Sequence, residues 1–198
     1  MKKFNINSKG FTLIELLAVI TILGILMLVA IPNVTRTIEN SRRDTFADLA
    51  KQYINSVRNA VLADELTCKI NNVDTSVGAT GDGTYYFQID SSGNASNDLM
   101  ENSSKSPWSS SDVVGFVSWT KETKTTSNPP KTTTTYSILL VDNGKHGIMD
   151  KDSNKQIAER SVAESSISRT TVSTHTEKSA NDIKQTVNSL NGNVCTLK

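Results

Sequence analysis

The chain has 198 residues and a formal net charge of +1, from 21 basic and 20 acidic residues. With no strong basic field, composition offers nothing for nucleic-acid binding. The two histidines (His146, His175) and two cysteines (Cys68, Cys195) are too few for a zinc site and give no nucleophile–base pair, so the expectation is a non-enzyme without a cofactor.

The first predicted element is apolar. From Phe11 to Ile31 the only charge is Glu15. A run of roughly 18 or more apolar residues is long enough to cross a bilayer as a helix. A carboxylate within it costs about 2.5–3.5 kcal/mol on insertion scales, so an intramembrane Glu calls for a partner. Lys2, Lys3 and Lys9 precede the run without an acid. The positive-inside rule then keeps that end cytoplasmic and sends the C-terminal part outward. A secretory signal peptide would have an apolar region of about 7–15 residues and a small-x-small cleavage site. Here the run is longer, and Leu28-Val29-Ala30 places Leu where a small residue is needed.

The stretch Lys9-Gly10-Phe11-Thr12-Leu13-Ile14-Glu15-Leu16-Leu17, behind a short basic leader, resembles the type IV prepilin family. That family includes type IV pilins and the pseudopilins of type II secretion and DNA-uptake systems. Gly24 and Pro32 also stand where many pilin helices have a Gly and a Pro, as candidate kink positions. The resemblance implies a prepilin peptidase that cuts after Gly10 and N-methylates Phe11. It implies assembly of like subunits into a filament by a cytoplasmic ATPase and a platform protein. The subunit would wait in the membrane as a single-pass protein and end at the cell surface, in adhesion, twitching motility or surface attachment. The alternatives are a pseudopilin of a secretion or DNA-uptake (competence) machine, a minor pilin or, outside the family, a single-span membrane-anchored binding protein.

Elementary chemistry agrees with these roles. Gly10 lacks a Cβ, which leaves a peptidase room to reach the backbone. Cutting there frees an amine on Phe11, one helical turn from Glu15. Four residues rise about 6 Å, so the carboxylate of one subunit could meet the amine of a neighbour shifted along the axis. Pairing relieves the burial cost of both charges.

Beyond Pro32, Val34, Ile38, Phe46, Leu49, Tyr53, Val57 and Val61 fall mostly three or four apart, which predicts one apolar helical face. Glu39 stands four residues before Arg43, the favourable order for a helical ion pair. The expected organisation is a leader at 1–10, a membrane-spanning and filament-core helix at 11–32, its amphipathic continuation at 33–66, and an exported β-rich head at 67–198. Strands are predicted at Thr84–Ile89, Val113–Thr120 and Thr132–Val141, where β-branched and aromatic residues concentrate. His146–Met149 reads as a short fourth strand. Ser91–Ser111 reads as a surface loop and Lys121–Lys131 as a hairpin-like excursion, so an antiparallel meander is the economical topology. In Gln156–Ile167, the residues Ile157, Val162 and Ile167 are expected to form one buried edge. Ser179–Leu190 is expected as a short helix. The fold class is α+β: a long N-terminal helix packed on a small antiparallel sheet, in a type IV pilin-like arrangement.

Asp142, Asn143, Asp150, Asp152 and Asn154 could supply oxygens to calcium, and some pseudopilins carry calcium in a comparable loop. Lys155, however, replaces the turn glycine of an EF-hand and Ser161 its bidentate Glu, so the stretch reads as a solvated turn. Trp108, Trp119, Tyr85 and Tyr86 read as core rather than as an adhesive patch. Cys68 and Cys195, in an exported domain, read as one disulfide, with two buried thiols as the alternative. Many family members close a loop near the C-terminus with a disulfide, and the wide spacing here departs from that pattern.

Overall fold

The computed structural model describes residues 10–71, 73–90, 99, 105–108, 112–126, 128–142, 146–152, 154–174, 183 and 193–198. One helix, α1, runs from Leu13 to Leu62. The chain divides into two units, Met1–Ser41 and Arg42–Lys198.

In the first unit every side chain from Gly10 to Ile38 is exposed. Pro32 lacks an amide hydrogen, which removes one bond from the helical ladder. Still α1 continues unbroken through Gly24 and Pro32. Side chains around the proline supply extra donors to the backbone. Asn33 Nδ2 donates to the Val29 carbonyl at 3.3 Å, Thr35 Oγ1 to Ile31 at 3.0 Å and Thr37 Oγ1 to Asn33 at 3.0 Å.

In the second unit, α1 buries Phe46, Leu49, Ala50, Tyr53, Ile54, Val57 and Ala60. Their spacing makes one stripe along the helix. Val34 and Ile38, expected on the same buried face, are exposed, so burial begins only at Phe46. The helix also ends before the expected boundary of 66. Asp64 takes a left-handed φ of 55°. The Glu65 amide donates to the Ala60 carbonyl at 2.9 Å and the Asp64 amide to Val61 at 3.3 Å. This is a Schellman cap with Asp in the position usually held by Gly.

The strands are β1 (Leu66–Ile70), β2 (Val73–Ser76), β3 (Gly83–Asp90), β4 (Val113–Lys124), β5 (Lys131–Asp142), β6 (His146–Ile148), β7 (Val162–Ala163), β8 (Val172–Thr174) and β9 (Val194–Leu197). They form one sheet in the order β2-β1-β9-β3-β4-β5-β6-β8, with β7 beside β5. The meander β3–β4–β5 and the short return β6 match the expectation. The sheet is larger than expected, and it is mixed rather than purely antiparallel, because β9 runs parallel to β3.

Residues 113–119 of β4 are all buried. A strand covered on both faces needs apolar residues on both, which accounts for the unbroken run Val-Val-Gly-Phe-Val-Ser-Trp. Val113, Val117, Trp119, Ile138, Leu140 and Phe87 join the cluster around α1. Val114, Phe116, Leu139 and Val141 face the opposite side, with Met149, Ile157 and Ile183. Ser118 is buried as well, and its hydroxyl meets that of Ser137 at 2.8 Å. The single buried edge expected of Ile157, Val162 and Ile167 does not exist: Ile157 lies on the outer face, whereas Ile167 and Val162 belong to the α1 side. The predicted helix Ser179–Leu190 lies outside the described residues, except Ile183, which is fully buried. Most of the loop Ser91–Ser111 lies outside them as well.

Lys198 closes the helix end. Its amide donates to the Glu65 carbonyl at 2.9 Å, and its ammonium to Asp64 Oδ2 at 2.9 Å. Asp64 Oδ1 also accepts from the Ser76 hydroxyl and from the Gly78 amide, the latter at 2.8 Å.

Two outcomes follow from this packing. A Cβ on Gly115 would lie 1.9 Å from the Leu139 carbonyl oxygen, a clash with the paired strand itself. Gly115→Ala should therefore cost about 3 kcal/mol or more, read as a lowered unfolding midpoint of the head; an unchanged midpoint would show that β4 and β5 part freely there. Ser76, Lys198 and Gly78, in that order, hold the Asp64 carboxyl far below its ordinary 3.8. A depressed folded pKa gives stability that is complete above the unfolded value and fades as pH falls below it. Amide exchange at Leu197 and Lys198 should accelerate as pH drops below about 3.8, beyond the intrinsic pH effect. Asp64→Asn should remove that acid dependence.

Candidate functional site

Helix α1 begins where the sequence places its one intramembrane carboxylate. The Thr12 amide donates to Glu15 Oε2 at 2.8 Å, and the Thr12 hydroxyl donates to the same oxygen at 2.8 Å. In return the Glu15 amide donates to Thr12 Oγ1 at 3.3 Å. This is a capping box, with Thr12 as N-cap and Glu15 at the third helical position. It meets amides that a helix start otherwise leaves unpaired. Thr12 was not singled out from the sequence, although Thr-x-x-Glu before an apolar run is a readable signal for this motif.

Phe11 is 86 % exposed and stands just outside the helix. Gly10 and Gly24 have nothing within 4 Å of the position a Cβ would take. Among the described residues nothing crowds either glycine. The segment that follows is long and apolar enough to cross a membrane and is wholly exposed.

The other candidate residues are distributed through the head. Cys68 and Cys195 face one another across β1 and β9 and are joined as a disulfide. The calcium candidates that are described make hydrogen bonds within the protein. Asp142 is buried; it accepts from the Ser106 hydroxyl at 2.7 Å and from the His146 amide at 2.7 Å, which closes the β5–β6 turn. Asp150 accepts from the Asp152 amide at 3.1 Å, and Asp152 from the Asn154 amide at 3.0 Å. The Lys155 ammonium sits on Asp150, holding that carboxyl below its usual range while its own pKa is pushed up. Asn143 lies outside the described residues. Among the described residues no three His, Cys, Asp or Glu side chains gather as a metal site.

The aromatics lie in or against the core. Tyr85 and Trp119 stack at 5.7 Å, Tyr86 meets Phe116 edge-on at 5.6 Å, and Trp108 lies between Phe46 and His146.

Near the N-terminus the described residues thus place a capped carboxylate beside Phe11, at the head of an exposed apolar helix. Residues 5–31 match the family model described as the prokaryotic N-terminal methylation motif. The chain thus carries the prepilin signal of type IV pilins and pseudopilins, a structural rather than a catalytic family. Its long helix on a mixed, largely antiparallel sheet is a type IV pilin-like layout. No curated protein and no solved structure matches the chain.

Replacing Thr12 tests the cap. Thr12→Val keeps the shape but removes the hydroxyl, at a cost of about 1 kcal/mol to the first turn. Amides of Leu13–Leu16 should then exchange severalfold faster in detergent micelles, while those near Val57 stay unchanged. Equal protection in both proteins would show that the box does not hold the helix start.

Proposed function

We propose that the chain is a structural subunit of a type IV pilus, cleaved after Gly10 by a prepilin peptidase, N-methylated on Phe11 and polymerised through α1. The observation that carries this reading is the methylation motif at residues 5–31, coinciding with an exposed apolar helix that holds one carboxylate near its start. The open space around Gly10 supports it too: the fold does not require a glycine there, whereas a peptidase closing on the backbone does.

Before assembly the apolar half of α1 anchors the subunit in the membrane, with the leader cytoplasmic and the head outside. In the filament the same surface packs against other copies. The Phe11 amine of one subunit pairs with Glu15 of a neighbour, so that neither charge stays bare among apolar side chains. The platform protein and ATPase that drive this are separate chains. The head coats the exterior and carries whatever surface adhesion or motility requires.

Gly10→Val should block the cut and leave full-length protein in the membrane. The native surface protein should begin with N-methylated Phe11 by mass spectrometry; intact Met1–Gly10 on filaments would overturn the processing step. Glu15→Ala should still insert and be processed, yet reduce filaments seen by electron microscopy at least about tenfold, since a missing ion-pair partner costs several kcal/mol in a dry interface. Normal filaments built only from that variant would sink the pairing.

A further inference from the structure

Strand β9 joins the β1–β2 pair to the rest of the sheet, and its two borders are unequal. Towards β1 it pairs antiparallel from Leu66↔Leu197 to Lys69↔Val194. Towards β3 it pairs only at Tyr86↔Val194 and Phe87↔Cys195. Beside that short border, Asn193 accepts from the Tyr86 amide at 2.9 Å, and its side-chain amide donates to the Thr84 carbonyl at 2.9 Å. Cys195 is the one fully buried side chain of β9; Val194 and Leu197 are half-buried. By contrast, β3 pairs with β4 from Gly83 to Asp90, and β4 with β5 along their whole lengths. Those three strands carry much of both apolar clusters. Little of the core therefore rests on β9, and local opening takes the weakest border first.

We infer that the Cys68–Cys195 bridge is a redox latch on a removable strand. With the bridge reduced, β9 leaves its place between β1 and β3 while β3–β4–β5 and the buried stripe of α1 stay assembled. With the bridge formed, β9 can move only together with β1, and β1 is anchored by Leu66, which is fully buried. Unlatching is a thiol–disulfide exchange with a dithiol. A reductant thiolate attacks one sulfur, and its second thiol resolves the mixed disulfide. Two electrons and two protons pass to Cys68 and Cys195, and the reductant becomes a disulfide. Both cysteines are wholly buried, so exchange waits for the β9–β3 border to part. The latch ties completion of the sheet to an oxidising compartment. This inference does not rest on the filament reading.

The test is hydrogen exchange by mass spectrometry on the full chain in detergent micelles, oxidised and then reduced with dithiothreitol. Reduction should speed exchange at Val194–Leu197 and along β1 at least about tenfold, and change β4 and β5 less than about twofold. N-ethylmaleimide should label both thiols of the reduced protein without loss of its circular dichroism. The Cys68→Ala/Cys195→Ala double variant, which lacks the bridge without any reductant, should show the same exchange pattern. Loss of protection throughout β4 and β5 would overturn the proposal, because the bridge would then hold the whole head. So would a β9 that stays protected and unlabelled after reduction.

Discussion

The head depends on burying one stripe of α1, from Phe46 to Ala60, against one face of the sheet. Ala47, Ala50 and Ala60 keep the helix surface low, while Phe46, Tyr53, Ile54 and Val57 fill the space between. Fully burying a large apolar side chain contributes about 1.5–3 kcal/mol, so this stripe contributes substantially to the stability of the head. It also divides the strands into two sets of positions. Val113 and Val117 point to the helix, and Val114 and Phe116 are left needing another cover. Met149 and Ile157, from the polar stretch after β6, supply part of that cover.

That polar stretch returns to the helix through charge as well as through Ile167 and Val172, which join the cluster around α1. Arg169 makes two bonds to the Asp44 carboxylate, at 2.8 and 2.6 Å. Arg58 meets Glu164 and lies 4.7 Å over the Tyr136 ring. These groups are about a third to a half exposed, and such pairs contribute at most about 1 kcal/mol each. Their use is positional: they hold the segment after β7 at one place along α1. Lys155 on Asp150 works in the same way within its turn.

How much of this was legible follows from how local each signal is. Strands β3, β4 and β5 were readable because each carries its own run of β-branched and aromatic residues. The end of α1 was not, since its cap uses Asp64 in a conformation normally signalled by Gly. Strands β1 and β9 are short, partly polar and set far apart in the chain, and nothing local in either run signals that they pair with one another. Their cysteines were the one trace of that pairing. The N-terminal motif was readable, and it lies within residues 5–31 of the family match, yet Thr12 went unnoticed in it. Its role is set by the backbone geometry of a helix start, which draws no attention in a run read for apolar character. The burial of Asp142 was not legible either, because the stretch reads as a solvated turn and only the fold sets this carboxylate under Ser106 and the His146 amide.

The Thr12 cap changes how the Glu15 carboxylate should be understood. A lone Glu among apolar residues invites the view that it must find a partner or be expelled. Here it already has two donors within its own chain, and both fall on Oε2. A carboxylate offers about four acceptor sites over its two oxygens, and neither of these bonds uses Oε1. An amine approaching from a neighbouring chain could therefore bond Oε1 without breaking the cap. On the proposed assembly, local capping and pairing between subunits would be successive uses of one group rather than competitors. The first lowers the cost of holding the charge in an apolar setting while the chain is alone. The second adds a directional, charge-assisted bond that non-directional apolar packing cannot provide. A Glu at the third position of a capped helix, four residues from the amine that the proposed cut would free, fits both demands; at mid-helix its backbone donors would be spent on the helix itself, and only the second use would remain.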